Sequence, residues 1–87
     1  MSYNALGMKE KIISIMHETA EESGLNLVAV INDDTILLES GLDSLGFGIL
    51  VAKLEDELGY DPFIIMDKPI YPRTFGELLD IYQRFTP

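Results

Sequence analysis

Apolar residues recur at helical spacing in three separate stretches of the chain. In "LGMKEKIISIMHETAEES", residues 6 to 23, Ile12, Ile13, Met16 and Ala20 share a face, and Gly24 comes next as a stop signal. In "SLGFGILVAKLEDELG", residues 44 to 59, Phe47, Leu50, Val51, Leu54 and Leu58 fall at i, i+3, i+4, i+7 and i+11, and Gly59 ends the segment. Gly46 and Gly48 lie in its first turns. Each costs about 1 kcal/mol relative to alanine, so the start of this helix should be softer than its middle. The last stretch, "TFGELLDIYQRF", opens with Thr74 and Glu77 in capping-box spacing. Phe75, Leu78, Leu79 and Tyr82 then repeat at i, i+3, i+4 and i+7.

The connections read differently. "LNLVAVINDDTILLESGLD", residues 25 to 43, is rich in apolar residues that fit neither the helical nor the strand period, and "NDDT" is turn chemistry. A strand over 27–31 would have no partner elsewhere in the chain. The segment therefore reads as a long loop pinned to the core by Leu25, Val28, Leu37 and Leu42. "NDD" lacks the ligand series and glycine of a calcium loop. Farther on, after "YDPF", the stretch "IIMDKPIYP" holds Pro69 and Pro72 and leaves room only for a short helical turn around 63–67. The expected architecture is all-α: a small bundle of three main helices and one short helix, with a long first loop.

Size and composition narrow the function classes. Eighty-seven residues suit one domain, 1–87, with a single core. No run of about eighteen apolar residues spans a membrane. The start, "MSYNALGMKEK", has no secretory signal pattern, so a cytoplasmic protein is expected. There is no cysteine, hence no disulfide framework and no thiolate metal site, and one histidine, His17, makes no zinc site alone. His17 sits beside the first apolar stripe and reads as a surface or boundary residue. Fifteen acidic residues against six basic ones give a net charge of −9. Such a surface repels nucleic acid and anionic membranes and suits a partner with a basic patch. Solubility alone would also account for it.

Ser44 is the one nucleophile in a suggestive place. It stands just after Asp43 at the start of the second helix, where the first backbone N–H groups lack partners and the helix dipole is positive. A side-chain oxygen of either residue can cap this end. The same field also favours a phosphate esterified to Ser44. A hydrolase reading needs a base in reach, and His17 lies on another helix with nothing to orient it; the G-x-S-x-G elbow and its sheet are also missing. Without cysteine, any thiol chemistry has to be imported on a prosthetic group.

The segment "GLDSLGFGILVAKLEDELG" resembles the phosphopantetheine attachment segment of the acyl carrier protein family. The resemblance extends along the chain through the order of its elements and centres on Gly41-Leu42-Asp43-Ser44-Leu45. It implies that Ser44 receives 4'-phosphopantetheine covalently from coenzyme A through a magnesium-dependent phosphopantetheinyl transferase. It further implies that Asp43 aids recognition by that enzyme, near its metal, and that Leu45 makes an apolar contact beside the arm. A protein of this kind is not an enzyme. It is a monomeric carrier that holds acyl groups as thioesters and presents them to a loading ligase or synthase and to acyltransferases.

Several positions depart from the bacterial fatty-acid pattern. Leu45, Ile49 and Ala52 recur at i, i+4 and i+7 beside the core stripe, either as the edge of a broad core or as a partner-facing apolar strip. Where acids are usual, this helix reads Gly46, Phe47, Gly48 and Ile49, and acids begin only at Glu55, Asp56 and Glu57. That trio is either a solvated face or a docking site for basic residues of partners. Ile64, Ile65 and Met66 read as core packing, the alternative being a lining for an acyl cavity with Phe47 and Leu50. The departures point to a specialised carrier for polyketide, modified-lipid or surface-glycolipid assembly, and the lack of a linker in the sequence leads to the expectation of a freestanding one. An aminoacyl or peptidyl carrier is the alternative within the class. A helical interaction module in which Ser44 only caps a helix is the alternative outside it.

Overall fold

Among the described residues four α-helices form, in the order and close to the bounds that the periodicity predicts. The computed structural model describes residues 5–67 and 70–86. Helix α1 is Ala5–Ser23, α2 is Ser44–Leu58, α3 is Pro62–Ile65 and α4 is Phe75–Arg84. Helix α1 packs against both α2 and α4. Among the described residues no helix is long and apolar enough to cross a membrane.

The core is built from one stripe of each long helix. Ile12, Met16 and Ala20 of α1 are buried as expected, whereas Ile13 is only partly so; Met8, Ile15 and Thr19 complete the stripe instead. Thr19 is tolerated there because its hydroxyl donates to the Ile15 carbonyl at 2.8 Å. From α2, Leu50 and Leu54 are fully buried, with Phe47 and Leu58 packed partly against them and Val51 half-buried. Each fully buried leucine contributes about 1.5–3 kcal/mol of hydrophobic stabilisation. Helix α4 buries Phe75, Leu78 and Tyr82 as its spacing predicts, together with Ile81, while Leu79 stays half-buried.

Local chemistry sets the helix ends. Gly24 and Gly59 both adopt left-handed backbone just past α1 and α2. The Thr74 hydroxyl accepts from the Glu77 N–H at 3.2 Å, while the Glu77 carboxylate accepts from the Arg73 N–H at 3.2 Å, one residue earlier than a strict capping box. Between α1 and α2, Lys53 reaches Glu22 at 2.8 Å and Glu18 at 3.4 Å, and Lys11 reaches Glu57 at 3.3 Å. The hydrogen bond to Glu22, more than the charge of Glu18, holds the Lys53 ammonium above its ordinary range. Such exposed pairs orient the two helices more than they stabilise them.

Three expectations need correction. Val28 does not pin the first loop: it is 38% exposed, and Leu27 and Ile31 pack on the core with Leu25. Burial alternates here, with Leu25 and Leu27 half-buried and Asn26 and Val28 exposed, and the Val28 N–H donates to the Ser40 carbonyl at 2.8 Å. The short helix lies at Pro62–Ile65 rather than around 63–67. Asp61 caps it, accepting from the Phe63 N–H at 2.9 Å, and Pro62 takes the first helical position where no N–H is needed. Ile64 and Ile65 are neither core nor cavity lining: they are exposed, because one helical turn can turn only Pro62 and part of Phe63 inward, with Met66 buried just beyond. Pro69 lies outside the described residues.

The two glycines early in α2 are not equivalent. A β-carbon at Gly46 would stand 3.1 Å from Asp43 Oδ1 and 3.3 Å from Leu42 Cδ2, whereas one at Gly48 would meet nothing within 4 Å. Gly48→Ala should therefore stabilise the fold by roughly 0.4–1 kcal/mol through helix propensity and a less flexible unfolded chain. Urea denaturation with an unchanged slope and a higher midpoint is the expected result; a lower midpoint would count against open space at this position.

Candidate functional site

The surroundings of Ser44 are built by the loop that precedes it. Leu37–Glu39 form one turn of 3-10 helix, a feature that the apolar density of this stretch conceals. Ser40, fully buried, closes that turn by donating its hydroxyl to the Leu37 carbonyl at 2.6 Å. Gly41 then reverses the chain at φ +113°, with its α-carbon pressed so closely on the Asn26 carbonyl that a β-carbon would sit 2.1 Å from that oxygen. Only glycine allows both the positive φ and the close approach. The reversal drives Leu42 into the core and brings Asp43 out at the head of α2.

Asp43, not Ser44, caps the helix. It is extended at φ −89°, its Oδ1 accepts from the Gly46 N–H at 2.7 Å, and its carbonyl accepts from the Phe47 N–H at 2.9 Å. Gly46 is buried directly beneath that carboxylate, which explains why the position carries no side chain. Ser44 is the first helical residue and is exposed, and among the described residues its hydroxyl makes no hydrogen bond. The serine is thus relieved of the structural task that its position suggests. Its hydroxyl stands in the positive field at the start of a fifteen-residue helix.

One wall of the site comes from far along the chain. Ile36 and Thr74 form an isolated antiparallel bridge, and around it Leu37 N–H donates to the Arg73 carbonyl at 2.9 Å and Phe75 N–H to the Thr35 carbonyl at 2.8 Å. Gly76 N–H extends the contact to the Asp33 carbonyl at 2.9 Å. This fastening sets Tyr71 and Pro72 opposite the 3-10 turn. The result is a cleft of about 220 Å3 lined by Leu37, Leu38, Ser44, Phe47, Tyr71 and Pro72. Ser44 supplies its only side-chain hydroxyl besides that of Tyr71. Leu38, Tyr71 and Pro72 are not legible as site residues from the sequence, since the bridge that assembles them has no local signature.

The other residues singled out from the sequence occupy separate parts of the surface. Leu45 is 73% exposed next to the serine, Ile49 is half-buried and Ala52 is exposed, all along one line of α2. Glu55 and Asp56 are exposed in the later turns, and Glu57 is engaged by Lys11. His17 is exposed on α1 and borders a different cleft, with Glu21, Leu25 and Leu27. The structure therefore gathers Asp43, Ser44, Leu45 and Phe47 and leaves His17 apart.

Beyond Ser44, the core holds a chain of aromatic rings. Phe47 meets Phe63 edge-on at 6.2 Å between centroids, and Phe63 meets Tyr82 edge-on at 6.1 Å. Tyr60 packs on Tyr82 at 6.1 Å and donates its hydroxyl to the Tyr82 carbonyl at 2.7 Å.

Residues 10–62 match the family described as "Phosphopantetheine attachment site". The matched span runs from the first turns of α1 through all of α2 to the first residue of α3. No curated protein and no solved structure matches the chain. With more than half of its length matched, and with the expected helices in the expected order, this chain belongs to the phosphopantetheine attachment-site family, carrier domains that hold 4'-phosphopantetheine covalently on a serine.

Proposed function

We propose that the protein is an acyl carrier protein whose prosthetic arm is attached at Ser44. The observation that carries this reading is an exposed serine hydroxyl, without a hydrogen bond among the described residues, at a helix start beside an apolar cleft while Asp43 does the capping. The matched span contains three other serines. Ser40 is buried and spends its hydroxyl on Leu37, and Ser14 and Ser23 lie within α1, away from any helix start. When bound, the arm supplies a thiol, which the chain lacks, for thioester linkage to its cargo.

The chain's own residues would orient and present that arm. The N-terminal field of α2 favours the phosphodiester, and Leu38, Phe47, Tyr71 and Pro72 offer apolar contact for the rest of the arm. Asp43 is a recognition residue for the transferase. Leu45, Ile49 and Ala52 form an apolar contact strip for partner enzymes, and Glu55 and Asp56 meet their basic residues. The net charge of −9 favours an acyl over a peptidyl cargo, and Gly46 to Ile49 in place of acids favours a specialised pathway over housekeeping fatty acid synthesis. The separation of His17 from Ser44 supports a carrier that catalyses nothing itself.

Intact mass after incubation with coenzyme A, magnesium and a broad-specificity phosphopantetheinyl transferase tests the assignment. Wild type should gain one phosphopantetheine and Ser44→Ala none, with the variant's stability within about 0.5 kcal/mol of wild type because no hydrogen bond is lost. A gain on Ser44→Ala would move the arm to another serine.

A further inference from the structure

Tyr71 is the most exposed large apolar side chain among the described residues, at 82%. Its hydroxyl makes no hydrogen bond among those residues, whereas Tyr60 donates to the Tyr82 carbonyl at 2.7 Å. The ring is no part of the core, yet the chain mounts it firmly. Pro72 follows it and confines Tyr71 to extended backbone. The next residues are tied down: the Arg73 carbonyl accepts from Leu37 N–H at 2.9 Å, and Thr74 forms the bridge with Ile36. A tyrosine so placed offers a broad amphipathic contact at little entropic cost, because few side-chain torsions have to be fixed.

Its position says what it meets. Tyr71 and Ser44 line the same cleft, and the other walls, Leu37, Leu38, Phe47 and Pro72, are apolar. At about 220 Å3 the cleft has room for roughly seven groups the size of a water molecule. That is less than a whole phosphopantetheine arm. It suits the segment nearest the phosphate, where a geminal dimethyl group is followed by a hydroxyl and an amide. We propose that the cleft is a resting berth for this segment and that Tyr71 latches it: the dimethyl group packs among Leu38, Phe47 and Pro72 while the Tyr71 hydroxyl donates a hydrogen bond to the adjoining amide carbonyl. The rest of the arm, with its thiol and cargo, stays outside the cleft at the surface. Tethering makes weak contacts sufficient. An arm confined at millimolar effective concentration is berthed about half of the time by a contact whose affinity is only about 1 mM. A partner that covers Tyr71 or Leu38 then releases the arm. The inference rests on attachment at Ser44 as proposed above and adds the residue that governs where the arm waits.

The test uses the full chain loaded with isotope-labelled phosphopantetheine by a broad-specificity transferase, with loading checked by intact mass and Ser44→Ala as the unloaded control. In the NMR spectra of the wild type, the dimethyl group of the arm should show nuclear Overhauser contacts to the Leu38 methyls and the Phe47 ring. The amide nearest the phosphate should also reorient more slowly than the amide nearest the thiol. Tyr71→Phe keeps the ring and removes the donor, and it should lower the ratio of berthed to free arm about fivefold, the worth of one hydrogen bond. Tyr71→Ala should abolish the contacts. A wild-type arm whose two amides reorient equally fast, with no contact to the cleft, would overturn the proposal. So would contacts that persist undiminished in Tyr71→Phe. Failure of the carrier reading looks different: no mass is gained, or Ser44→Ala gains it too, before any spectrum is recorded, and the inference falls with it.

Discussion

Gly41→Ala should cost about 2–6 kcal/mol, the sum of backbone strain at a positive φ and overpacking against a rigid neighbour. At φ +113° an alanine is strained whatever the space around it. Here its β-carbon would also overlap the Asn26 carbonyl carbon, at 2.8 Å, and the Leu27 α-carbon, at 2.9 Å. These are backbone atoms, and they cannot rotate away as a side-chain tip would. In a domain of this size the melting temperature should fall by roughly 10 °C or more. Gly24→Ala is the informative control, since Gly24 has φ +70° but open space around it. It should show the strain without the clash and fall between wild type and Gly41→Ala. A Gly41→Ala protein that melts within a few degrees of wild type would mean that the segment around Asn26 is not held against the serine loop. The same contact governs function. Displacing Gly41 moves Leu42 out of the core and Asp43 off the head of α2, so arm attachment should slow even where the fold survives.

Substitution at Asp43 should separate two roles that one carboxylate combines. Asp43→Ala removes the acceptor for Gly46 N–H and should cost about 1 kcal/mol, within the usual range for a lost helix cap. Asp43→Asn keeps an oxygen at the same place and should cost little, because asparagine caps about as well as aspartate. If the transferase reads the negative charge, both variants should gain phosphopantetheine about tenfold or more slowly than wild type, a loss on the order of 1.4 kcal/mol in recognition. Initial rates by intact mass, set beside urea midpoints, distinguish the cases. A normal rate for Asp43→Asn would leave Asp43 as a cap alone and pass recognition to its neighbours, Leu45 first among them.

This division of labour bears on how a carrier domain uses the start of a helix. Capping and the proposed attachment call on the same few residues there, and the two tasks fall to adjacent side chains. Asp43 turns back to the Gly46 N–H, which leaves Ser44 exposed at the first helical position. Gly46 lets the carboxylate lie close over the helix. The helix start is thus capped at Gly46 N–H, and among the described residues the Ser44 hydroxyl makes no hydrogen bond, which suits the role proposed for it.

The core is legible in the sequence where a long helix repeats its apolar residues. Leu50 and Leu54, or Phe75, Leu78 and Tyr82, are buried because a regular helix must put them on one face, and nothing tertiary is needed to say so. Ile15 and Thr19 escape notice because they extend that face beyond the narrow stripe, and Thr19 hides its polarity by bonding its own backbone. Irregular segments are less legible. Hydrophobicity alone points Val28 inward, but burial alternates along this segment, and Val28 falls on the outward side, where its N–H is tied to the Ser40 carbonyl. For Ile64 and Ile65 the deciding fact is the helix's length, a single turn capped by Asp61, which leaves little surface to hide them.

Residue order alone suffices for the class of this protein: an all-helical carrier domain with a serine at the head of its second long helix, marked by Gly41-Leu42-Asp43-Ser44-Leu45. The helices depend on residues close together in the chain, where spacing and backbone preference are enough, and the carrier class is what the resemblance of that marker segment implies. Three others had to await the folded molecule: Asp43 caps while, among the described residues, Ser44 makes no hydrogen bond, Tyr71 and Pro72 wall the cleft beside it, and the Tyr82 hydroxyl is buried in the core with no partner among those residues. The first depends on which of two adjacent side chains turns back over the helix. The others depend on groups far apart in the chain, brought together by the bridge between Ile36 and Thr74 and by the rings of Phe47, Phe63 and Tyr82. Contacts of that kind arise from packing, and no local pattern encodes them.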